Sequence, residues 1–207
     1  VVSVLANSTL ITCILTCPRK EFGAYRYLLL TFASVDFYYA LVHFFVMPIP
    51  EAWGNAFFMG AHGYFNGRFA VCWFAGAHSH SFPVLVFHFL YRFLAVKGFD
   101  IVEVFLRINL CTEIVLHISI AALRVFSVLY FLYDVDDFDR EYMEPVLREH
   151  TTATSLPINE YSIAVFWKYG TFSGPRWKCI FGISFMAATM FGCYGFMIYA
   201  AYGIVRI

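Results

Sequence analysis

Apolar residues run through this chain in five long blocks instead of alternating with polar ones. The blocks cover residues 1–17, 27–48, 69–96, 105–133 and 179–205. A hydrocarbon core of roughly 30 Å takes about 20 helical residues. The last four blocks are therefore expected to be full transmembrane helices, and the first a nearly complete one, clipped at its N-terminus. A spanning strand needs only about 10 residues and alternates, which argues against strands. The expected fold is an all-α membrane protein, a transmembrane helix bundle forming one domain over 1–207.

The connections divide by length and charge. Pro18-Arg19-Lys20-Glu21-Phe22-Gly23 is a short polar turn, and 97–104 is another. Residues 48–68 form a Gly-rich connection in which Trp53 suits a membrane interface. Residues 134–178 read as one long loop holding eight of the fourteen acids: Asp134, Asp136, Asp137, Asp139, Glu141, Glu144, Glu149 and Glu160. Lys and Arg in short loops mark the cytosolic face. Arg19, Lys20 and Arg26 flank the first turn, and Arg92, Lys97 and Arg107 the third connection. The N-terminus and the acidic loop are then expected outside, with Tyr91-Arg92 inside. Arg176 and Lys178 run against this orientation.

Composition strengthens the membrane reading. Hydrophobic residues make up 61% of the chain, charged residues 14% and aromatics 21%, beyond the balance of soluble domains. The formal net charge is zero, so there is no basic footprint for nucleic acid. The start carries no basic region of a signal peptide and is followed at once by further spans. All six cysteines, Cys13, Cys17, Cys72, Cys111, Cys179 and Cys193, lie in or beside apolar blocks. They read as small buried hydrophobes, with a Cys72–Cys179 disulfide as the alternative, and no spacing suits zinc.

The string Glu21-Phe22-Gly23-Ala24-Tyr25-Arg26-Tyr27-Leu28-Leu29-Leu30 resembles the first cytosolic turn and second span of nematode serpentine chemoreceptors. Asn7, Leu10, Ile11, Pro48 and Ser81-Phe82 fit the same pattern. His88-Phe89-Leu90-Tyr91-Arg92-Phe93-Leu94-Ala95-Val96 resembles the cytosolic end of that family's third span. The Str and Srj branches, the group that includes the diacetyl odorant receptor, are most similar. The resemblance covers roughly residues 5–97 well and the remainder loosely. It implies a rhodopsin-like serpentine topology with five of seven spans, and so a truncated or partial chain. It departs in one residue: Tyr91 stands before the inner Arg where many such receptors place an acid.

What the resemblance implies is a G-protein-coupled chemosensory, olfactory receptor for a small odorant or soluble cue. It would sit as a multi-pass protein in the plasma membrane of sensory neuron cilia, among lipid, with a heterotrimeric G-protein and a receptor oligomer as partners. Tyr91, Arg92 and Lys97 would face the G-protein. Depth in the spans nominates Tyr38, Tyr39, Trp73 and Phe185 as aromatic ligand contacts, and His43, His80, Arg124 and Thr189 as polar ones. Arg92 reads equally as a snorkelling interfacial cation, and Asp36 as a functional acid or a structural polar contact.

Glu113, His117 and Arg124 fall within about 40° of one another at ~100° per residue. They form a polar stripe turned toward the bundle, as a buried network or a coupling site. His78 and His80 lie about 200° apart, with His88 roughly 80° from each, so they do not converge on a metal. Asn7-Ser8-Thr9 is a glycosylation sequon inside an apolar span. No nucleophile elbow, phosphate loop or paired carboxylates point to an enzyme or a cofactor. The alternatives are a membrane transporter fragment, which lacks visible paired halves here, and a non-signalling receptor-like assembly partner.

Overall fold

The computed structural model describes residues 2–17, 25–98, 110–132, 135–150, 157–169 and 173–206. Its helices are α1 (Val2–Thr16), α2 (Tyr25–Val46), α3 (Gly67–Val96), α4 (Leu110–Leu132), α5 (Asp137–His150) and α6 (Trp177–Val205). The strands are β1 (Pro48–Trp53), β2 (Ala56–Ala61), β3 (Ser162–Val165), β4 (Trp167–Lys168) and β5 (Gly174–Pro175), with a 3₁₀ turn at Ile158–Glu160. Arg19, Lys20 and Arg107, which entered the orientation argument, lie outside the described residues, as do the side chains of Cys111, Glu113 and His117.

Among the described residues, three helices are long and apolar enough to cross a bilayer: α2, α3 and α6. A fourth crossing could be counted by joining the end of α4 to α5, a pair bent by 98°. Because α5 is polar on one side and packs on a sheet, we read the crossing as α4 itself, 23 residues long. The shorter α1 is apolar on average, with several hydroxyl residues. Its hydroxyls bond back to the helix: Ser8, Thr9 and Thr12 donate to the carbonyls of Val4, Leu5 and Ser8 at 2.7–2.9 Å. Such back-bonding removes the penalty of a bare hydroxyl in hydrocarbon. On α6 the large side chains point outward, with Phe191 76% and Ile198 70% exposed, as a lipid-facing surface demands.

Contacts divide the chain into two units. The first comprises Val1–Leu41, Ala77–Ala121 and Thr189–Ile207. Its interior is built from apolar residues of four helices: Ile14, Leu28, Ala33, Ala77, Phe82, Val84, Met197 and Ala200. Pro83 lies inside α3 and so leaves one backbone carbonyl without its helical donor, which membrane helices tolerate when neighbours satisfy it.

The second unit, Val42–Gly76 and Ala122–Ala188, holds what the sequence pattern concealed. The Gly-rich connection is a β-hairpin, Trp53 pairing with Ala56 across Gly54-Asn55. Gly54 supplies the positive φ, 53°, that this two-residue turn asks of its first position. The acidic stretch then returns a third strand: β2 pairs antiparallel with β3, from Ala56↔Val165 to Met59↔Ser162.

Both faces of this sheet are covered. Ala56, Phe58, Ile163 and Val165 pack with Met143 and Leu147 of the amphipathic α5. The alternate residues, Phe57 and Ala164, pack with Leu132, Phe131, Cys179 and Ile183.

Polar anchors fix the start of α5. Asp136 and Asp139 exchange backbone-to-carboxylate bonds of 2.9 and 3.1 Å. Arg176 bonds to Asp139 and lies 3.4 Å from Asp136. Burial pushes the Asp136 carboxyl up, but the Asp139 backbone, Arg176 and Lys168 outweigh it and hold the group below the usual range. Asp139 is more deeply buried, and desolvation leaves it raised despite the same arginine.

The hairpin also terminates a membrane helix. Met47 takes a positive φ of 45° and Pro48 follows, which ends α2. The orphan carbonyls of Phe45, Val46 and Met47 accept the N–H groups of Phe65, Gly63 and His62 at 3.1, 2.9 and 3.3 Å. At the start of α3, Glu160 accepts the Arg68 N–H at 2.7 Å, a carboxylate on the positive end of the helix dipole.

Candidate functional site

The clearest polar constellation lies in the first unit, where α2 begins and α3 ends. His88, Tyr91 and Arg92 stand at positions i, i+3 and i+4 of α3, so they share one helix face. Tyr25, the first residue of α2, meets all three. Its hydroxyl lies 2.7 Å from His88 Nε2 and accepts the Arg92 Nε–H at 3.0 Å. Its ring stacks on Tyr91, with centroids 4.9 Å apart and planes 19° apart. The Arg92 guanidinium also lies 5.9 Å from the Tyr25 ring centroid, within cation–π reach. The Phe32 ring also lies against the imidazole, with centroids 5.5 Å apart. His88 Nδ1 is buried with no hydrogen-bond partner among the described residues.

The chemistry of this clasp is that of a phenol holding an arginine. Arginine only donates, so the Tyr25 oxygen must accept from it. The Tyr25 proton is then available for His88 Nε2. Where a carboxylate would lock the arginine by charge, this chain uses a neutral oxygen and a ring face. At the same end, Arg26 donates to the Leu15 carbonyl at 2.8 Å. Lys97 lies 5.8 Å from the Phe93 ring, and Phe93 meets Tyr199 of α6 at 6.0 Å. Of the three residues expected to face a G-protein, Tyr91 and Arg92 thus join one cluster, and Lys97 stands one turn beyond. Tyr25 and His88 were legible only as motif letters; the available signal was that both occupy the same predicted membrane end as Arg92.

The ligand-contact candidates divide between the units. In the first, Tyr38 meets His80 edge-on at 6.4 Å, Tyr39 meets His78 at 5.7 Å, and Thr189 is exposed on α6. In the second, His43 meets Phe74 at 5.8 Å and Trp73 packs on Phe65 at 5.5 Å. There Arg124 is buried at 9% exposure and Phe185 is 41% exposed. Arg124, Ser127 and Val128 form the buried stripe of α4. Cys72 and Cys179 are both buried and both free thiols. Among the described residues no group of three His, Cys, Asp or Glu side chains could hold a metal ion.

Comparison with known proteins places this arrangement in a family. The family model "Serpentine type 7TM GPCR chemoreceptor Str" matches residues 1–207. Serpentine receptor class r-10 of Caenorhabditis elegans is 27% identical over 157 residues, covering 72% of this chain and 45% of that protein. Its counterpart from Caenorhabditis briggsae is 26% identical over 161 residues, again covering 72% and 45%. The chain spans about half the length of the curated relatives it matches. No solved structure matches it significantly. By the match over its whole length, the chain belongs to the Str family of serpentine 7TM GPCR chemoreceptors.

Proposed function

We infer that this chain acts as a chemosensory receptor that binds a small odorant or soluble cue and signals to a heterotrimeric G-protein at the end where Tyr25, Tyr91 and Arg92 meet. The observation that carries this reading is that cluster. It joins the two family-like strings, one at the start of α2 and one at the end of α3, through a single phenol. Three basic residues, Arg26, Arg92 and Lys97, gather at that end, which favours a cytosolic placement in the plasma membrane of a sensory cell. An aromatic and histidine seam between α2 and α3, containing Tyr38, Tyr39 and His80, suits an apolar cue bearing one polar group. Binding there would act by favouring one helix arrangement over another.

The test is nucleotide exchange on G-protein in membranes carrying this chain, screened against volatile and water-soluble cues. A cue-evoked signal is expected, reduced at least ten-fold by Arg92→Ala and right-shifted by Tyr39→Ala or His80→Ala. The same scan covers His43, Trp73, Arg124, Phe185 and Thr189. Surface-expressed protein that drives solute flux across vesicles and never nucleotide exchange would replace this reading with a transporter.

A further inference from the structure

Hydrogen-bond accounting within the clasp makes it sensitive to one proton. The Tyr25 hydroxyl has one hydrogen and receives the Arg92 Nε–H at 3.0 Å. Its own hydrogen therefore points to His88 Nε2, 2.7 Å away, and this requires an imidazole lone pair at Nε2. A protonated His88 has no lone pair. Both ring nitrogens would then donate. Nε2–H would compete with Arg92 for the phenol oxygen and the phenol hydrogen would lose its acceptor, while the Nδ1 proton, already present on the neutral ring, has no partner among the described residues in either state. A second cation would also stand across one oxygen from the guanidinium.

Among the described residues no acid at this end relieves this. The described ionisable side chains at this end are Cys13 and Cys17 on or just past α1, and Tyr25, Arg26 and Tyr27 on α2. Tyr91, Arg92 and Lys97 belong to the end of α3, and Tyr199, Tyr202 and Arg206 to the end of α6. Among the described residues of α1, α2, α3 and α6 the only carboxylate is Asp36. It lies eleven residues along α2 from Tyr25, about 16 Å at ~1.5 Å per residue.

We propose that Tyr25, His88 and Arg92 form a proton-linked clasp between α2 and α3, closed when His88 is neutral and released when His88 takes up one proton from the adjoining aqueous phase. Linkage makes this reciprocal: whatever opens the clasp binds a proton, and acidification on that side opens it. The inference goes beyond receptor activity and stands without a ligand or a G-protein.

It is tested on the whole chain in lipid nanodiscs by spin-label distances. Native cysteines are replaced by serine, and labels are placed at Tyr27→Cys and Val96→Cys, both exposed and both at this end. Between pH 8 and pH 5 the short-distance population is expected to give way to a longer one. The ratio should change by up to about ten-fold per pH unit, as for a single proton. His88→Gln, which still accepts the phenol hydrogen, should hold the short distance at every pH. Tyr25→Phe should abolish the pH dependence without touching His88. A distance that does not move with pH in the parent protein overturns the proposal, and so does widening that persists in His88→Gln.

Discussion

Single residues in this chain are fixed by contacts that its composition does not advertise. A Cβ on Gly63 would strike the Phe45 carbonyl at the end of α2, so this glycine exists to let two backbones meet. Gly63→Ala is expected to lower thermal stability by more than about 2 kcal/mol, whereas Gly195→Ala, with nothing within 4 Å, should stay within ~0.5 kcal/mol. Unfolding in detergent, followed by accessibility of Cys72 to a thiol dye, separates the two. At the other end of α2, Tyr25→Phe keeps the stacked ring and removes only the hydroxyl. Two bonds are lost, one from a charged donor, and about 1–2 kcal/mol should go with them. Tyr91→Leu, which removes the ring partner, should act through packing and cost a comparable amount.

Elements were legible in proportion to how one-sided their environment is. The apolar runs of α2, α3 and α6 stood out because lipid asks for uniform hydrophobicity; α2 ends at Val46, two residues before Pro48, and α3 at Val96, four past Arg92. The sheet was hidden. β3, Ser162-Ile163-Ala164-Val165, is buried on both faces and so shows no alternation, while its partner strand β2 lies about 100 residues earlier. Helix α5 was masked by its acids, although Phe138, Tyr142, Met143, Val146 and Leu147 have helical spacing toward the sheet.

Two predictions belong to these elements. Glu160→Ala should cost about 1 kcal/mol, as other helix caps do, and speed amide exchange specifically over the first turn of α3. His62, which follows β2, is held below the usual imidazole range by burial, partly offset by Glu51. A depressed histidine favours the neutral folded form, so its contribution is complete above the unfolded value near 6.5 and is lost as pH falls below it. Exchange protection of β1 and β2 should therefore weaken as pH falls below about 6.5 in the parent, and weaken less in His62→Gln.

At the scale of the molecule, the second unit carries a water-soluble style of core in α5 and the sheet, which is expected to fail separately from the long membrane helices. Phe58 is 1% exposed at the centre of the α5-facing cluster. Phe58→Ala should cost about 3–5 kcal/mol, opening 137–165 to protease while far-ultraviolet dichroism retains the signal of the long helices. Loss of all helicity together would show a single cooperative unit instead. The order of the strands has a consequence in time. During synthesis the β1–β2 hairpin emerges directly after α2 and can seal its carbonyls at once, but its neighbour β3 arrives some 100 residues later. At roughly 5–20 residues per second, the edge of β2 stays open for on the order of 5–20 s while α3 and α4 enter the membrane. The first turn of α3 waits equally long for Glu160. Nascent receptor paused in that interval is therefore the form a chaperone must shield, and its hairpin edge is where two growing chains would pair by mistake.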